Sequence, residues 1–466
     1  LNKNLRSLLL VVLITLSFST ASAQEGDAQE KPTYVVQAGD TLWTIARDLH
    51  IPYDSLLTEN NLNENSSIIP GTQLQIPGLD GMSGVLFTVD VPYGETLASF
   101  SRKYGVSEED LIRLNRLTSP FELYVGVSAV LIGDGDTEVQ AGKRSNLAPG
   151  ESALELAVKE NINPWVLLTS NGEDGEWDLI PGEVVLIPGT EASGPGGFPG
   201  IIQDVSYQPV RFVQGHTYVI RVQSQDGTAL QGFLGDYPLK FFSKNGENYL
   251  ALQGLHAKES LGLKPLSISG TLPDGTPFAH TQMVIVNSGD YIYEEITGVP
   301  QETVGIEITE EETQELKKFA DQASDQKLWT GKFSSPVPPE LSAAYASYFG
   351  GRRSYNDSGY YYFHTGLDFF SLIGGDIYAA ADGRVVYTGS LLLHGDTTMI
   401  DHGWGVFTLY AHQSEILVQV GQQVSAGDLI GRVGSTGRST GAHMHWEVWV
   451  GGVQVDPMDW LENSYP

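Results

Sequence analysis

The chain has 466 residues, 41% of them hydrophobic, and carries 57 Asp and Glu against 26 Lys and Arg, for a formal net charge of -31. That length exceeds what one growing core supports, so several domains are expected, and the apolar content excludes wholesale disorder. The acidic balance excludes nucleic acid and anionic membrane surfaces as partners, while the absence of cysteine removes disulfides, thiolate metal sites and thiol nucleophiles together.

At the start, Lys3 and Arg6 precede an apolar run from Leu8 to Phe18 and the small residues Ala21-Ser22-Ala23. This is the pattern of a signal peptide over residues 1–23, so export is expected. The run is shorter than the ~20 apolar residues of a spanning helix, and no later stretch is long and apolar enough, so no membrane span is expected in the mature protein.

Self-similarity follows. Gly39-Asp40-Thr41-Leu42, Gly94-Glu95-Thr96-Leu97 and Gly150-Glu151-Ser152-Ala153 start 55 and 56 residues apart. A second landmark, Pro70-Gly71, Val125-Gly126 and Pro181-Gly182, keeps the same step. In the first unit Tyr34-Val35-Val36 reads as a strand, and Asp40 or Thr41 can cap a helix carrying Leu42, Ile45, Ala46 and Leu49. A second short helix holds Leu56 and Leu57, and Gln73 to Pro77 alternates as a strand, which makes β-α-α-β. This unit, residues 33–77, resembles the LysM module, a small glycan-binding domain. In that family the sugar lies between the loop after the first strand and the loop before the last. The resemblance therefore implies glycan contacts at Gly39, Asp40, Thr41, Leu42, Ile69, Pro70 and Gly71, although Gly39 and Asp40 equally serve a turn and a cap. Repeats two and three, expected at 87–132 and 140–188, are degraded copies in which Val125 replaces Pro70 and Ser152 replaces Thr41.

From residue 200 to 300 the pattern turns to alternating β-branched and aromatic runs such as Thr217 to Val222, with hairpin turns at Asn245-Gly246 and Asp274-Gly275. An immunoglobulin-like β-sandwich is expected, either as a spacer or as a cover for a site elsewhere. Its His216, His256 and His280 lack ligand spacing and read as ordinary core or surface residues. Residues 301–340 read as a linker: Thr309 to Glu312 fits a capping box opening a helix to about Ala323, and Pro336, Pro338 and Pro339 end regular structure.

Six of the ten histidines fall after residue 360. Four of them lie in His364-Thr365-Gly366-Leu367-Asp368, Tyr410-Ala411-His412 and His443-Met444-His445. Residues two apart on a strand share a face with α-carbons ~6.6 Å apart, so His443 and His445 can enter one cleft while Met444 and Trp446 face the core. Four extended steps from His364 to Asp368 would span ~13 Å, too far for one ion unless the chain bends, and Gly366 is where it could. Imidazole and carboxylate without sulfur suit zinc by default, although Mn, Co or Ni fit the same atoms. Glu447 shares the face of His445 and could support the metal from behind that ring, and Tyr360, Tyr361 and Tyr362 either wall the cleft or pack.

Together with Gly434 to Gly441 ahead of His443, and Gly421-Gln422-Gln423-Val424 before Gly427 to Gly431, these motifs resemble the LytM, or lysostaphin-type, zinc peptidase family. The resemblance implies a mostly antiparallel β catalytic domain over 341–466, with one Zn2+ per chain held by His364, Asp368 and His445. It implies His412 and His443 as the catalytic pair and assigns no role to His394 or His402, which are therefore read as structural or rim residues. Ala442, Met444, Trp446 and Asp396 depart from the family's usual residues without removing a ligand. The expected function is that of a zinc endopeptidase cutting peptide cross-bridges of bacterial peptidoglycan, its glycan held by LysM and its peptide stem by the catalytic domain. Action outside the cytoplasm, in the periplasm or wall or as a secreted protein, follows from that substrate. The competing expectation is a non-enzymatic activator of a separate amidase, which the intact set of five site residues disfavours; absent cysteine excludes a cysteine peptidase.

Overall fold

A computed structural model describes residues 31–133, 139–148, 150–175, 179–189, 193–224, 227–243, 245–322 and 324–466. The expected signal peptide at 1–23 lies outside the described residues. No helix among them is long and apolar enough to cross a membrane.

Three β-α-α-β units lead the chain. The first runs through Thr33–Val35, Leu42–Asp48, Tyr53–Glu59 and Gln73–Gln75, and its two strands pair antiparallel. The second runs through Val85–Asp90, Leu97–Tyr104, Glu108–Asn115 and Ser128–Gly133, and its first strand pairs parallel to Thr33–Val35, so the two units share one sheet. The third comprises Gly142–Asn146, Ala153–Lys159, Pro164–Ser170 and Val184–Pro188. Each first helix opens on the residue two places after the repeated glycine, because a reciprocal capping box satisfies its free N–H groups: Thr41 with Thr44, Thr96 with Ser99, Ser152 with Glu155. Asp40 is not the cap; its carboxylate turns back to accept from Gln37 N at 2.6 Å and the Tyr34 hydroxyl at 2.9 Å.

Residues from Ile202 to Asn287 build two sheets around one core that includes Ile202, Val205, Tyr218, Ile220, Val222, Leu266, Ile268 and Val284. Gly246 and Gly275, both at positive φ, turn the hairpins that Asn245-Gly246 and Asp274-Gly275 foretold. The strand Thr217–Ser224 is buried on both faces, since Val219 points away from its sister sheet. Val219, Leu252 and Phe242 instead join the core of the last domain beside Trp329, Trp404 and Trp460. The sandwich and the last domain therefore share apolar packing rather than touch at a rim.

The last domain is a mostly antiparallel sheet. Its central strands run Tyr345–Ser347, Leu367–Phe370, His443–Val450, Val406–Ile416, Gly395–Gly403 and Gly383–Leu391, in that spatial order. The segment read as a linker is built into this unit. Its helix spans Ile306–Ala320 with Gly305 as N-cap and no side-chain cap, four residues ahead of the expected cap at Thr309. Thr309 therefore lies inside the first turn, its hydroxyl donating to Gly305 O, and Glu312 is free to point elsewhere. Leu316 and Ala320 pack against Met399, Phe407, Leu409, Ala411 and Trp449, so a tertiary apolar face, rather than the local cap pattern, sets the helix. Of the prolines expected to end regular structure, Pro336 and Pro338 lie outside it, but Pro339 opens a 3-10 turn to Leu341; Tyr378 N donates to Pro336 O and Val337 is buried in the domain core.

Candidate metal centre

Strand pairing brings the motifs together. Leu367–Phe370 lies antiparallel to His443–Val450, with Asp368 opposite His445, and Ala411 opposite His445 on the other side carries His412 to the same end of the sheet. Met444 and Trp446 are fully buried behind them, as the two-residue period requires. His364 precedes its strand and reaches back because the chain bends at Gly366, where any Cβ would collide with the Trp446 carbonyl and the His445 ring. Glycine is required there by close approach.

The result is a triangle of donor atoms. His364 Nε2 lies 3.0 Å from Asp368 Oδ1, His445 Nδ1 lies 2.7 Å from the same oxygen, and the two ring nitrogens are 3.1 Å apart. These edges are slightly tighter than the about 3.3 Å expected between ligands of a tetrahedral zinc with bonds near 2.05 Å. The outer nitrogens are already engaged: His364 Nδ1 donates to Tyr348 O at 2.7 Å, and His445 Nε2 donates to Glu447 Oε1 at 3.1 Å. Each ring therefore turns a lone pair inward, so the three residues fit a zinc-sized cation with one coordination position left open.

His412 and His443 stand beside this triangle with ring centroids 4.9 Å apart. His412 Nδ1 donates to Thr436 O at 2.7 Å and His443 Nδ1 to Gly441 O at 2.9 Å, which leaves Nε2 of both rings toward the cleft. His412 holds φ of 56°, an uncommon conformation for a non-glycine residue, at an irregularity in the pairing of its strand with Gly395–Gly403. Burial, together with the neighbouring His443 and His445, holds it well below the ordinary histidine range and hence neutral. Burial also lowers His364 to about 4. Burial alone would raise the Asp368 carboxyl, but its bonds to His364 and His445 keep it well below the usual range. The five residues border a cavity of about 290 Å³, whose far wall includes Ile296, Val299, Ile306 and Thr313 from the segment after the sandwich.

Several neighbours were not foreseen. His394, read as structural or rim, has both ring nitrogens on carboxylates, Glu312 Oε1 at 2.5 Å and Glu447 Oε1 at 3.0 Å. Burial would lower it, but those carboxylates hold it up at about 10. No local signal marks these contacts, because Glu312 is 82 residues from His394. His256, read as ordinary, lines the same cavity and sits edge-on to Phe363. His402 is buried and structural, facing Asp382 O and Thr408. Of the three tyrosines, Tyr362 is buried against Tyr355, Tyr361 is exposed on the cavity wall, and Tyr360 donates to Glu295.

The residues implied for glycan contact divide. Leu42 is buried in its repeat's core, while Thr41 and Asp40 are engaged in the cap and turn described above. Gly39 and Gly71 hold positive φ with open space where a Cβ would be, and Ile69 is 69% exposed with Pro70 beside it.

Residues 362–457 match the model of Peptidase family M23, and residues 34–77 and 90–127 match that of the LysM domain. Over 95 residues the chain is 45% identical to peptidoglycan DD-endopeptidase ShyA of Vibrio cholerae and 44% identical to DD-carboxypeptidase/endopeptidase Mpg of Neisseria meningitidis. Each alignment covers 20% of this chain and 22% of the relative, so the chain spans about a fifth of the length of these relatives. A solved M23 peptidase from Pseudomonas aeruginosa is 25% identical, covering 55% of this chain and 96% of that one with a TM-score of 0.38.

Proposed function

Starting from a chain that carries a domain of peptidase family M23 and two LysM domains, we propose that it is a zinc-dependent endopeptidase that hydrolyses peptide cross-bridges of peptidoglycan outside the cytoplasm. His364, Asp368 and His445 would hold one zinc ion. The observation that carries this reading is the donor triangle with both outer imidazole nitrogens already anchored, an arrangement that costs little reorganisation on metal binding. When bound, zinc supplies Lewis-acid polarisation of a carbonyl and brings the pKa of water toward about 7. Among the chain's own residues, His412 and His443 are the catalytic pair. One accepts the proton of the attacking water at Nε2, and the other, its Nδ1–H already on a backbone carbonyl, donates to the developing oxyanion from Nε2 in its doubly protonated form. The backbone carbonyls of Thr436 and Gly441 fix both rings, so that the inward nitrogens need no search.

The glycan strand is held by repeat one, between the loop at Gly39 to Leu42 and the loop at Ile69 to Gly71. Open space at both glycines and the exposed Ile69 support this. A weak binder joined to the catalytic domain raises the local concentration of peptide stems without new contacts at the scissile bond.

Hydrolysis of purified peptidoglycan by the wild type and by His445→Ala, each with metal content determined and products identified by mass, tests the reading. The wild type should hold about one zinc and release cross-link fragments, and the variant should do neither. Zinc binding without any cleavage would favour an activator of a separate amidase instead.

A further inference from the structure

We infer that Glu312 is a positioning residue for the metal centre, acting from outside the matched peptidase segment through His394 and Glu447 on His445. The inference rests on the reading of His364, Asp368 and His445 as ligands. Glu312 lies on the helix Ile306–Ala320, well before residue 362 where the family match begins. It is almost wholly buried, and its carboxylate accepts three hydrogen bonds from one turn: Leu393 N at 2.8 Å, His394 N at 3.0 Å and His394 Nδ1 at 2.5 Å.

From there the contacts run inward without a break. His394 Nε2 lies 3.0 Å from Glu447 Oε1, and the same oxygen accepts from His445 Nε2 at 3.1 Å, while Glu447 Oε2 accepts from Trp449 Nε1 at 2.7 Å. Both ring nitrogens of His394 face carboxylate oxygens, so both carry hydrogen and donate. Glu447 is thus held on every side, and it leaves His445 one tautomer, with hydrogen on Nε2 and a lone pair on the Nδ1 that faces Asp368. The turn that Glu312 holds also carries His394 O, which accepts from His412 N at 2.8 Å. Removing Glu312 leaves two backbone N–H groups and one imidazole N–H without an acceptor. The ring that steadies Glu447 is then free to rotate.

His394, His445 and Glu447 also lie close enough to be considered as donors for a second ion. That alternative requires Nε2 of both histidines to give up its hydrogen, against the contacts just described, and the experiment separates the two.

Full-length wild type, Glu312→Ala, Glu312→Gln and Leu316→Ala would be compared for Zn(II) affinity by competition with a chromophoric chelator and for the visible spectrum of bound Co(II). Thermal unfolding would be followed in parallel. Leu316 packs on the same helix face but does not enter the hydrogen-bonded chain. Glu312→Ala should weaken zinc binding by about tenfold to a hundredfold and alter the Co(II) bands. Glu312→Gln, which keeps an acceptor oxygen, should lose less. Leu316→Ala should lower the unfolding temperature with affinity and spectrum unchanged. Wild-type zinc affinity in Glu312→Ala, or an equal loss in Leu316→Ala, overturns the proposal, as does a wild type binding two ions of which this variant loses one. A wild type that binds no metal overturns the ligand reading and this inference with it, whereas a metal-binding wild type with an unaffected Glu312→Ala overturns only the inference.

Discussion

Repeats one and two share a β-α-α-β order, a Gly-acidic-Thr-Leu turn and a match to the same domain model, yet their loops meet different surroundings. In repeat one, Gly39 and Gly71 look onto open space. In repeat two, Gly94 N donates to Gln282 Oε1 at 2.9 Å and Gly94 O accepts from Gly197 N at 2.7 Å. A Cβ on Gly94 would lie 2.7 Å from Pro195. The second loop is covered as well, because Val125 N donates to Met283 O at 2.9 Å and Val125 bridges Val284 in the sandwich. The acidic residue shows how one methylene decides the outcome. Asp40 is short and folds back onto its own turn, whereas Glu95 reaches Arg144 of repeat three at 2.6 Å, buried with it, and the partly buried Lys103 at 3.2 Å. The loops that stand open in the first copy are the attachment surface of the second. A domain-model match therefore locates a scaffold, and the neighbours of its loops decide whether a ligand can enter.

The largest expected effect comes from the buried pair. Arg144→Ala leaves Glu95 with the Ser99 hydroxyl and only Lys103 as a charged partner, and it should destabilise the protein by about 3 kcal/mol, since breaking a buried ion pair strands a charge. Asp40→Ala removes hydrogen bonds at a partly exposed turn and should cost about 1 kcal/mol. Urea unfolding of both variants reads the difference, and equal losses would erase the distinction between the copies.

Next comes a reciprocal pair of substitutions. Val125→Ala should cost about 2 kcal/mol by loss of buried volume and leave binding to purified peptidoglycan unchanged. Ile69→Ala should leave the unfolding midpoint unchanged and weaken that binding by roughly tenfold. Sedimentation with insoluble wall material measures the second quantity, and a loss of binding in the Val125 variant would return repeat two to a sugar-binding role.

The smallest effect is on pH. His280 packs between Tyr93 and Phe198 at the join of repeat two and the sandwich. Burial holds it below its ordinary value, against weaker opposing pulls from Gln282 and Glu95. The folded state thus favours the neutral ring. Its contribution is present above the unfolded pKa of about 6.5 and is lost as pH falls from there toward the folded value. Denaturation midpoints of the wild type should fall more steeply between pH 7.5 and 5 than those of His280→Phe, and parallel slopes would remove His280 from the interface energetics.

The helices of the repeats were legible because their start is a local event: a hydroxyl two places after a glycine caps the N–H groups of the next turn. The shared face of His443 and His445 was legible for the same reason, the two-residue period of a strand. The bend at Gly366 could be anticipated only as a requirement, since the atoms that demand it belong to His445 and Trp446, about eighty residues away. The linker helix misled because Thr309 and Glu312 fit a capping pattern, whereas the helix begins at Ile306 on an N-cap without a side chain and is held by the packing of Leu316 and Ala320. Glu312, no longer needed at the helix end, was spent on His394.

What the sequence determined by itself was local and periodic: three repeats in step, alternating strands, and a histidine and aspartate set with zinc-like chemistry. Tertiary structure alone decided which repeat keeps its loops open, how His364 comes within 3.0 Å of Asp368, and which buried carboxylates steady the rings around them. The physical reason is range. Caps, turns and strand parity are settled within a few residues by hydrogen bonding and side-chain direction, whereas burial and close approach depend on atoms that only the folded chain brings together.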